Sequence, residues 1–300
     1  MRLKPLLPVM VLSVIIFSLL FSSCISYQIA EKDIFNSKKV SRLNDNLYFE
    51  DVYFTTSDSL RLNGWFIRSD EARGTLLFFG GNGYYMMNRT TFDAINMFTD
   101  LKMNLFIIDY RGSGRSEGSP TIQGIYEDGL SAYKYLCSRK DLDTSKIIVY
   151  GHSLGSFVAM RVGCTYPVAG VILEGGISNS LDMRDAVLKA SAPWYLRWLV
   201  RLDADSTILG LDNVKQARNL KKPLLVITGE KDNIAPSEFG RKIYDSAASS
   251  LKRFEIVPNG EHPDLYFTKT DGRRDYYLKA LSKYLDEVFG KEPNAATSER

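Results

Sequence analysis

The sequence predicts an α/β fold with one mostly parallel sheet of about eight strands and helices on both faces. The domain opens with two segments of alternating hydrophobicity, Leu47–Thr55 and Leu60–Arg68, joined around Ser57–Ser59, which predict an antiparallel hairpin. Six short, continuous apolar runs follow, and such runs are typical of parallel strands covered on both faces. Helical periodicity between them indicates repeated β-α units in one doubly wound sheet.

The remaining elements alternate along the chain. The apolar runs predict strands at Thr75–Phe79, Asn104–Asp109, Lys146–Tyr150, Val168–Leu173, Pro223–Thr228 and Arg253–Val257. The periodic segments predict helices at Met86–Leu101, Thr121–Arg139, Leu154–Thr165, Ser237–Ala248 and Arg274–Phe289. Each of these helices follows a strand in the chain, as the repeated β-α units of a doubly wound sheet require.

One connection is longer than the others. Roughly fifty residues separate the strands Val168–Leu173 and Pro223–Thr228, which exceeds an ordinary loop. We therefore expect an insertion at about 177–222, containing the amphipathic aromatic cluster Pro193–Leu199. It would form a lid over a substrate pocket, with contact to lipid as an option, or else extra helices packed on the edge of the sheet.

The composition excludes several classes of protein. The 300 residues are 45% hydrophobic and 24% charged, which does not suit a disordered chain, a collagen-like fibre or a polytopic membrane protein. The net charge is +3 with no run of five or six like charges, so no nucleic-acid partner is predicted. The only histidines are His152 and His262, which excludes a three-histidine metal site; no metal is predicted.

The N-terminus has the layout of a targeting segment. Arg2 and Lys4 precede the apolar run Val9–Phe21, and the small residues Ser22 and Ser23 precede Cys24. Phe21 to Cys24 resembles the lipobox of bacterial lipoproteins, although leucine stands one position early. That resemblance implies cleavage before Cys24, lipidation of this cysteine and a membrane-tethered protein in the cell envelope, facing the periplasm or exterior.

An uncleaved anchor is the alternative, because Leu6–Ile25 has about the ~20 residues that a spanning helix needs. The chain then divides into a signal peptide, a tether, a main domain with its insertion, and a polar tail, at 1–23, 24–46, 47–290 and 291–300. Cys137 and Cys164 lie in helical patterns and are predicted as buried thiols, with a bridge between them left open. The oligomeric state also stays open.

A nucleophile motif lies between a predicted strand and the helix after it. It reads Gly151-His152-Ser153-Leu154-Gly155, a G-x-S-x-G in the strand–turn–helix setting of a nucleophile elbow. The glycines permit the tight turn that presents the Ser153 hydroxyl above the sheet. The side chain of His152 points away from that of Ser153 on such a turn, so we expect a structural role for this histidine.

A serine hydroxyl needs a base, and His262 is the histidine left for this role. It follows the last predicted strand of the sheet. The imidazole in turn needs a carboxylate, and Asp232 follows the preceding strand, which gives the chain order Ser153, Asp232, His262. Glu230 and Glu174 are the rival carboxylates.

Two backbone N–H groups are needed to stabilise an oxyanion. Leu154, directly after the nucleophile, supplies one. The loop Gly80-Gly81-Asn82-Gly83 follows a predicted strand, and we expect Asn82 to supply the other. No phosphate-binding glycine pattern is present in the chain, so a nucleotide cofactor is not predicted.

Together these motifs resemble the serine α/β-hydrolases, and within them the Bem46-type and serine aminopeptidase-like branch. The segment Ile108–Gly118, which contains Asp-Tyr-Arg-Gly-Ser-Gly-Arg-Ser, is similar to a characteristic segment of that group. Asp109 and Arg111 in it would hold their loop. The resemblance covers residues 47–289, but Gly80 stands where many relatives have histidine.

The resemblance implies a serine hydrolase of the α/β-hydrolase fold that cleaves an ester, thioester or amide through Ser153, His262 and Asp232, without a cofactor. A carboxylesterase or lipase-like enzyme acting on a small-molecule or lipid-like acyl substrate is the leading interpretation. An aminopeptidase-like serine peptidase, an acyltransferase and a non-catalytic lipoprotein that keeps the fold are the alternatives. An aspartate nucleophile, as in haloalkane dehalogenases, is excluded by Ser153.

Overall fold

The computed structural model describes residues 25–39, 49–87, 89–262 and 272–290. Ten strands occur in these ranges, β1 to β10 in chain order: Ile25–Ile29, Glu50–Thr55, Arg61–Ile67, Gly74–Phe79, Met103–Ile108, Ile147–His152, Gly170–Glu174, Val200–Ala204, Leu224–Gly229 and Lys252–Val257. Eight of them form the main sheet in the order β10-β9-β7-β6-β4-β5-β3-β2. The α/β fold predicted from the sequence is confirmed.

The sheet changes direction at one side only. β2 and β3 form the antiparallel hairpin, and β3 runs antiparallel to β5. All other neighbours in this sheet are parallel. The carboxyl ends of β4, β6, β7, β9 and β10 therefore meet at one edge, where the loops of an α/β sheet build its sites.

Helices cover both faces of the sheet. The described residues contain α1 to α8 in chain order: Arg89–Asp100, Ile122–Ser138, Gly155–Thr165, Ser180–Ser191, Ser206–Leu209, Asn213–Ala217, Ser237–Ser246 and Arg273–Phe289. Each helix expected between strands is present, with ends shifted by three residues or fewer. The side chain of Thr121 caps α2 by accepting a hydrogen bond from the N–H of Gly124 at 2.9 Å, which sets where that helix begins.

Two apolar cores lie on opposite faces of the sheet. Alternation along β4 sends Leu77 and Phe79 into one core and Leu76 and Phe78 into the other, and all four side chains are buried. β6 is divided in the same way. Because both faces of these strands are covered, their sequences are continuous apolar runs, which is why they could be recognised.

The insertion between β7 and β9 contains α4, β8, α5 and α6. The structure adds a feature that was not predicted: β1 pairs with β8 in a separate parallel two-stranded sheet, with Ile25 opposite Val200 and Ile29 opposite Ala204. The sequence pattern indicated only a tether at residues 24–46. Residues Ile25–Ile34 are part of the folded domain and not only a tether, because Ile29 and Ile34 pack against its core.

The cysteine prediction needs a correction. Cys137 and Cys164 do lie in α2 and α3, but both are exposed and unbridged rather than buried, because each occupies the solvent-facing side of its helix. Cys24, the signal peptide at 1–23 and the tail at 291–300 lie outside the described residues. Within the described ranges, none of the helices has both the length and the hydropathy needed to cross a membrane.

Candidate active site

The turn between β6 and α3 holds Ser153 in a strained backbone conformation. Its φ is +52°, a left-handed value that costs energy for a residue with a side chain. A Cβ atom on Gly151 would lie 2.4 Å from the carbonyl oxygen of Gly155, and one on Gly155 would lie 2.2 Å from that of Phe79. Strand, helix and the loop after β4 thus approach so closely that only glycine fits at both positions.

Ser153, His262 and Asp232 form one hydrogen-bonded chain. Oγ of Ser153 lies 2.9 Å from Nε2 of His262, and Nδ1 of His262 lies 2.7 Å from Oδ2 of Asp232. All three residues are buried, with only 8%, 7% and 5% of Ser153, His262 and Asp232 exposed. The structure therefore brings together the three side chains that the sequence selected from separate loops.

Backbone groups hold the carboxylate of Asp232 in place. Oδ1 accepts hydrogen bonds from the N–H groups of Ile234 at 2.9 Å and Ala235 at 2.7 Å, which leaves Oδ2 for the imidazole. The loop of Asp232 is also joined to the loop of His262, because the N–H of Lys231 donates to the carbonyl of Gly260 at 2.8 Å. These bonds fix the separation of the two side chains.

The rival carboxylates have other partners. Glu230 accepts a hydrogen bond from the N–H of Asn259 at 2.8 Å and so joins the two loops. Glu174 is buried and accepts a hydrogen bond from the hydroxyl of Tyr277 at 2.9 Å. Neither carboxylate takes the place of Asp232 beside His262.

His152 lies beside the chain without joining it. Its Nε2 is 3.3 Å from the carbonyl oxygen of His262, and the centres of the two rings are 5.0 Å apart. Burial, with the nearby His262 as a smaller cause, lowers the pKa of His152 to about 4. A neutral imidazole packed under the backbone of His262 agrees with the structural role expected from the sequence.

The loop after β4 lies against both His152 and Ser153. A Cβ atom on Gly81 would lie 2.9 Å from Nδ1 of His152 and 3.1 Å from Cβ of Ser153, so a side chain at this position would displace the imidazole of His152. Asn82 and Leu154 both line the cavity that Ser153 faces. The side chain of Asn82 is engaged elsewhere, since its Oδ1 accepts a hydrogen bond from the N–H of Asn36 at 2.9 Å.

Ser153 and His262 open into a cavity of about 580 Å³. Its wall is mainly aliphatic and comes from the N-terminal segment, α3, α4, β8 and α5; the apolar members include Ile29, Ile34, Phe157, Ile177, Met183, Val187, Ala204, Ile208, Leu209, Leu211 and Ile234. Such a cavity suits an apolar group next to a polar reacting centre. The wall residues Ile29 and Ile34 were not predicted from the sequence, because their segment has the pattern of a tether.

Asp109 and Arg111 have the structural roles that the sequence indicated. Oδ1 of Asp109 accepts a hydrogen bond from the N–H of Met86 at 2.7 Å, and burial raises the pKa of Asp109 to about 6. Arg111 donates to Asp128 at 2.8 Å and to Asp58 at 2.8 Å. These bonds hold the loop after β5 in place.

Comparison with known proteins identifies the family. Residues 90–292 match the model of the prolyl oligopeptidase family. The α/β hydrolase domain-containing protein WAV2 of Arabidopsis thaliana is 33% identical over 256 residues, which is 81% of each chain. The chain belongs to the prolyl oligopeptidase family of α/β hydrolases. Protein bem46 of Schizosaccharomyces pombe is 28% identical over 81% of this chain and 78% of its own length.

This α/β hydrolase is also similar to solved structures. The Pyrococcus furiosus esterase PF2001 superposes with a TM-score of 0.67 at 18% identity, covering 86% of this chain and 98% of its own. At that identity the likeness establishes the fold. The sequence relatives in turn show that the chain is a hydrolase of the Bem46 type, as the sequence motifs indicated. Across the described parts of this hydrolase, no group of three His, Cys, Asp or Glu side chains could hold a metal ion.

Proposed function

We propose that this hydrolase is a serine esterase that cleaves acyl esters with an apolar acyl chain. The observation that supports this most is the hydrogen-bonded chain from Asp232 through His262 to Ser153, opening directly into an aliphatic cavity. A buried serine–imidazole–carboxylate chain activates the hydroxyl for attack on a carbonyl carbon. Burial of an apolar acyl chain against the aliphatic wall then contributes favourable free energy to substrate binding.

The proposed reaction has two halves. Oγ of Ser153 attacks the carbonyl carbon while Nε2 of His262 accepts its proton, and Asp232 stabilises the imidazolium. The backbone N–H groups of Leu154 and Asn82 would donate to the oxyanion. The imidazolium returns the proton to the leaving alcohol, which leaves an acyl-enzyme. Water, deprotonated by His262, attacks the acyl-enzyme, and Ser153 recovers its proton as the carboxylic acid leaves.

A serine peptidase is the second candidate, and the family match favours it because the family carries the name of an oligopeptidase. An enzyme that recognises a free amino terminus needs an acidic partner for the ammonium group. Among the described residues that line the cavity there is no aspartate or glutamate, and the guanidinium of Arg184 in this lining is paired with Asp185 at 3.0 Å. This lining supports the esterase over the aminopeptidase.

The choice between esterase and peptidase can be tested with a panel of p-nitrophenyl esters of graded chain length, assayed beside aminoacyl p-nitroanilides. The esterase proposal predicts that kcat/KM rises from acetyl to medium-chain esters and that the anilides are hydrolysed far more slowly. Ser153→Ala, with its fold checked by circular dichroism, is the control and should have no turnover. Faster hydrolysis of the anilides would contradict the esterase proposal and favour the peptidase.

We also propose that the enzyme is tethered to the cell envelope through a lipid on Cys24. The support is the sequence, in which a basic start, an apolar run and two serines precede this cysteine. Metabolic labelling with an alkyne fatty acid should label the wild type and Cys164→Ser but not Cys24→Ser. Equal labelling of Cys24→Ser would contradict the lipid, and an unlabelled chain that still fractionates with membranes would favour the uncleaved anchor.

A further inference from the structure

The exposed apolar side chains of the described residues are concentrated in one region. Eleven large hydrophobic residues are exposed in those ranges, and eight of them belong to β1 or to the insertion at 177–222: Tyr27, Leu181, Val187, Trp194, Tyr195, Leu196, Trp198 and Leu209. Most soluble surfaces carry such residues singly, so a cluster of this kind indicates an interaction surface.

Five of these eight form what we call the aromatic surface, made of Trp194, Tyr195, Leu196, Trp198 and Tyr27. Trp194 is 78% exposed, and its ring contacts Tyr195 edge-on with centres 5.7 Å apart. The indole N–H of Trp198 donates to the carbonyl of Tyr195 at 2.8 Å, while 56% of Trp198 stays exposed. Exposed aromatic rings of this amphipathic kind are suited to an interface between water and lipid.

The backbone behind these rings is held in place. Arg197 donates from Nε to the carbonyl of Ala192 at 2.9 Å and from Nη2 to that of Lys189 at 3.2 Å. The guanidinium thereby joins the end of α4 to the turn that carries Trp198. The aromatic surface is a structured part of the insertion, so its exposure follows from the fold.

The two-stranded sheet joins this surface to the cavity. The register places Tyr27 opposite Leu202 and Ile29 opposite Ala204, and side chains two apart on a strand share a face. Ile29 and Ala204 line the cavity. One face of the ribbon is therefore apolar from the cavity out to Tyr27, while Ser26, Gln28 and Arg201 occupy the other face.

The direction of the chain indicates what covers the aromatic surface. Because β1 and β8 are parallel, Ile25 lies opposite Val200, two residues after Trp198. Cys24 immediately precedes Ile25, and the apolar run Val9–Phe21 lies a few residues further back. The segment with membrane-targeting features thus joins the folded domain next to the exposed tryptophans.

From this arrangement we propose that the aromatic surface docks into the interfacial layer of a lipid bilayer, and that the ribbon of β1 and β8 holds the cavity above that layer. The bilayer that covers the aromatic surface is the one that the targeting segment before Ile25 would insert into. Exposed Val187 and Leu209 at the rim of the cavity would then face lipid. Resting on the proposed esterase function, the docked orientation lets an acyl chain pass from the bilayer to Ser153 along an apolar path.

Tryptophan fluorescence tests the docking without using the activity. The chain has three tryptophans, of which Trp65 is fully buried in the core while Trp194 and Trp198 belong to the aromatic surface. The full-length chain in phosphatidylcholine vesicles should lose emission when the lipid carries brominated acyl chains, relative to unbrominated lipid. Trp194→Phe/Trp198→Phe, which retains only Trp65, should lose none. Equal loss in both proteins would overturn the proposal.

Two further outcomes would also overturn it. One is failure of the full-length chain to float with the vesicles. The other is that brominated lipid does not quench the tryptophans, while the wild type is a dimer in detergent and Trp194→Ser/Trp198→Ser is a monomer. A second copy of the chain would then cover the aromatic surface.

Activity gives a second readout that separates this proposal from the proposed function. Trp194→Ser/Trp198→Ser should lower kcat/KM about tenfold on a medium-chain ester embedded in vesicles and leave a water-soluble acetyl ester unaffected. Ile256→Ser/Tyr276→Ser removes two exposed apolar side chains outside the surface and should change neither rate. If the enzyme is inactive on every ester but its tryptophan emission is quenched by brominated lipid, the esterase proposal is overturned and the docking proposal stands. If wild type and Trp194→Ser/Trp198→Ser hydrolyse the vesicle ester at equal rates, the docking proposal is overturned.

Discussion

At the scale of single residues, the geometry around Ser153 depends on glycines. The positive φ of Ser153 exists because Gly151 and Gly155 let the strand, the turn and the helix approach to within contact of backbone atoms. The G-x-S-x-G spacing predicted this turn from the sequence. It did not reveal the third close approach, at Gly81, because the residues that this glycine approaches, His152 and Ser153, are about seventy positions away along the chain.

We predict that Gly155→Ala destabilises the fold by about 3 kcal/mol, because the added Cβ would lie 2.2 Å from a backbone oxygen that cannot move freely. Urea denaturation followed by circular dichroism measures this free energy of unfolding. Gly210→Ala is the matched control: its φ is −75°, and the nearest atom to the added Cβ is 3.3 Å away. Similar small effects of both substitutions would contradict the close approach at Gly155.

His152 predicts a pH dependence of stability. Its pKa falls from 6.5 to about 4 on folding, so between these values the unfolded chain binds more protons and stability decreases as the pH falls. At pH 5 the loss attributable to this one group is about 2 kcal/mol relative to pH 7. His152→Gln, compared with wild type by urea denaturation at both pH values, should lose correspondingly less stability. An unchanged pH dependence would contradict a His152 that stays neutral in the folded protein at pH 5.

The contacts of the three carboxylates show how far the sequence alone could distinguish them and where the fold was needed. Asp232 followed from chain order, but Glu174 and Glu230 could not be rejected from sequence, since all three lie near strand ends. Their partners decide the matter: Glu174 bonds to Tyr277, which is more than a hundred residues away along the chain. Such long-range partners are not encoded in local pattern.

At the scale of elements, β1 is the main feature that could not be predicted from the sequence. Ile25, Tyr27 and Ile29 alternate with polar residues, but the partner strand β8 begins at Val200, and a parallel pairing over that separation leaves no local signal. The strands of the main sheet were recognisable because they are buried on both faces. A short ribbon at the surface has neither the length nor the burial that makes a strand evident.

The position of β1 predicts that the N-terminal segment shapes the specificity. Ile29→Ser removes an aliphatic side chain from the cavity wall. It should lower kcat/KM for an octanoyl ester about five- to tenfold and have little effect on an acetyl ester, because lost burial of one aliphatic side chain costs about 1–2 kcal/mol. Ile256→Ser, at an exposed position outside the cavity, is the control. Equal effects on both esters would argue against a wall role for Ile29.

At the scale of the whole molecule, the parallel sheet brings the site residues together at one edge. Ser153 follows β6, Asp232 follows β9, His262 follows β10 and Asn82 follows β4, so all four lie in loops at the carboxyl edge of the strands. This rule is why a correct set of strands sufficed to select residues far apart in the chain. The cavity could not be predicted in the same way, because its wall combines the insertion with the N-terminal segment.

The central claim is that Ser153 is a nucleophile activated by His262. Its most direct test is labelling with a fluorophosphonate, followed by peptide mass spectrometry, at equal concentrations of wild type, Ser153→Ala and His262→Ala. We predict one phosphonate adduct, on Ser153, in the wild type, and at least a hundredfold slower labelling of His262→Ala. Undiminished labelling of Ser153→Ala, or of His262→Ala, would contradict this claim.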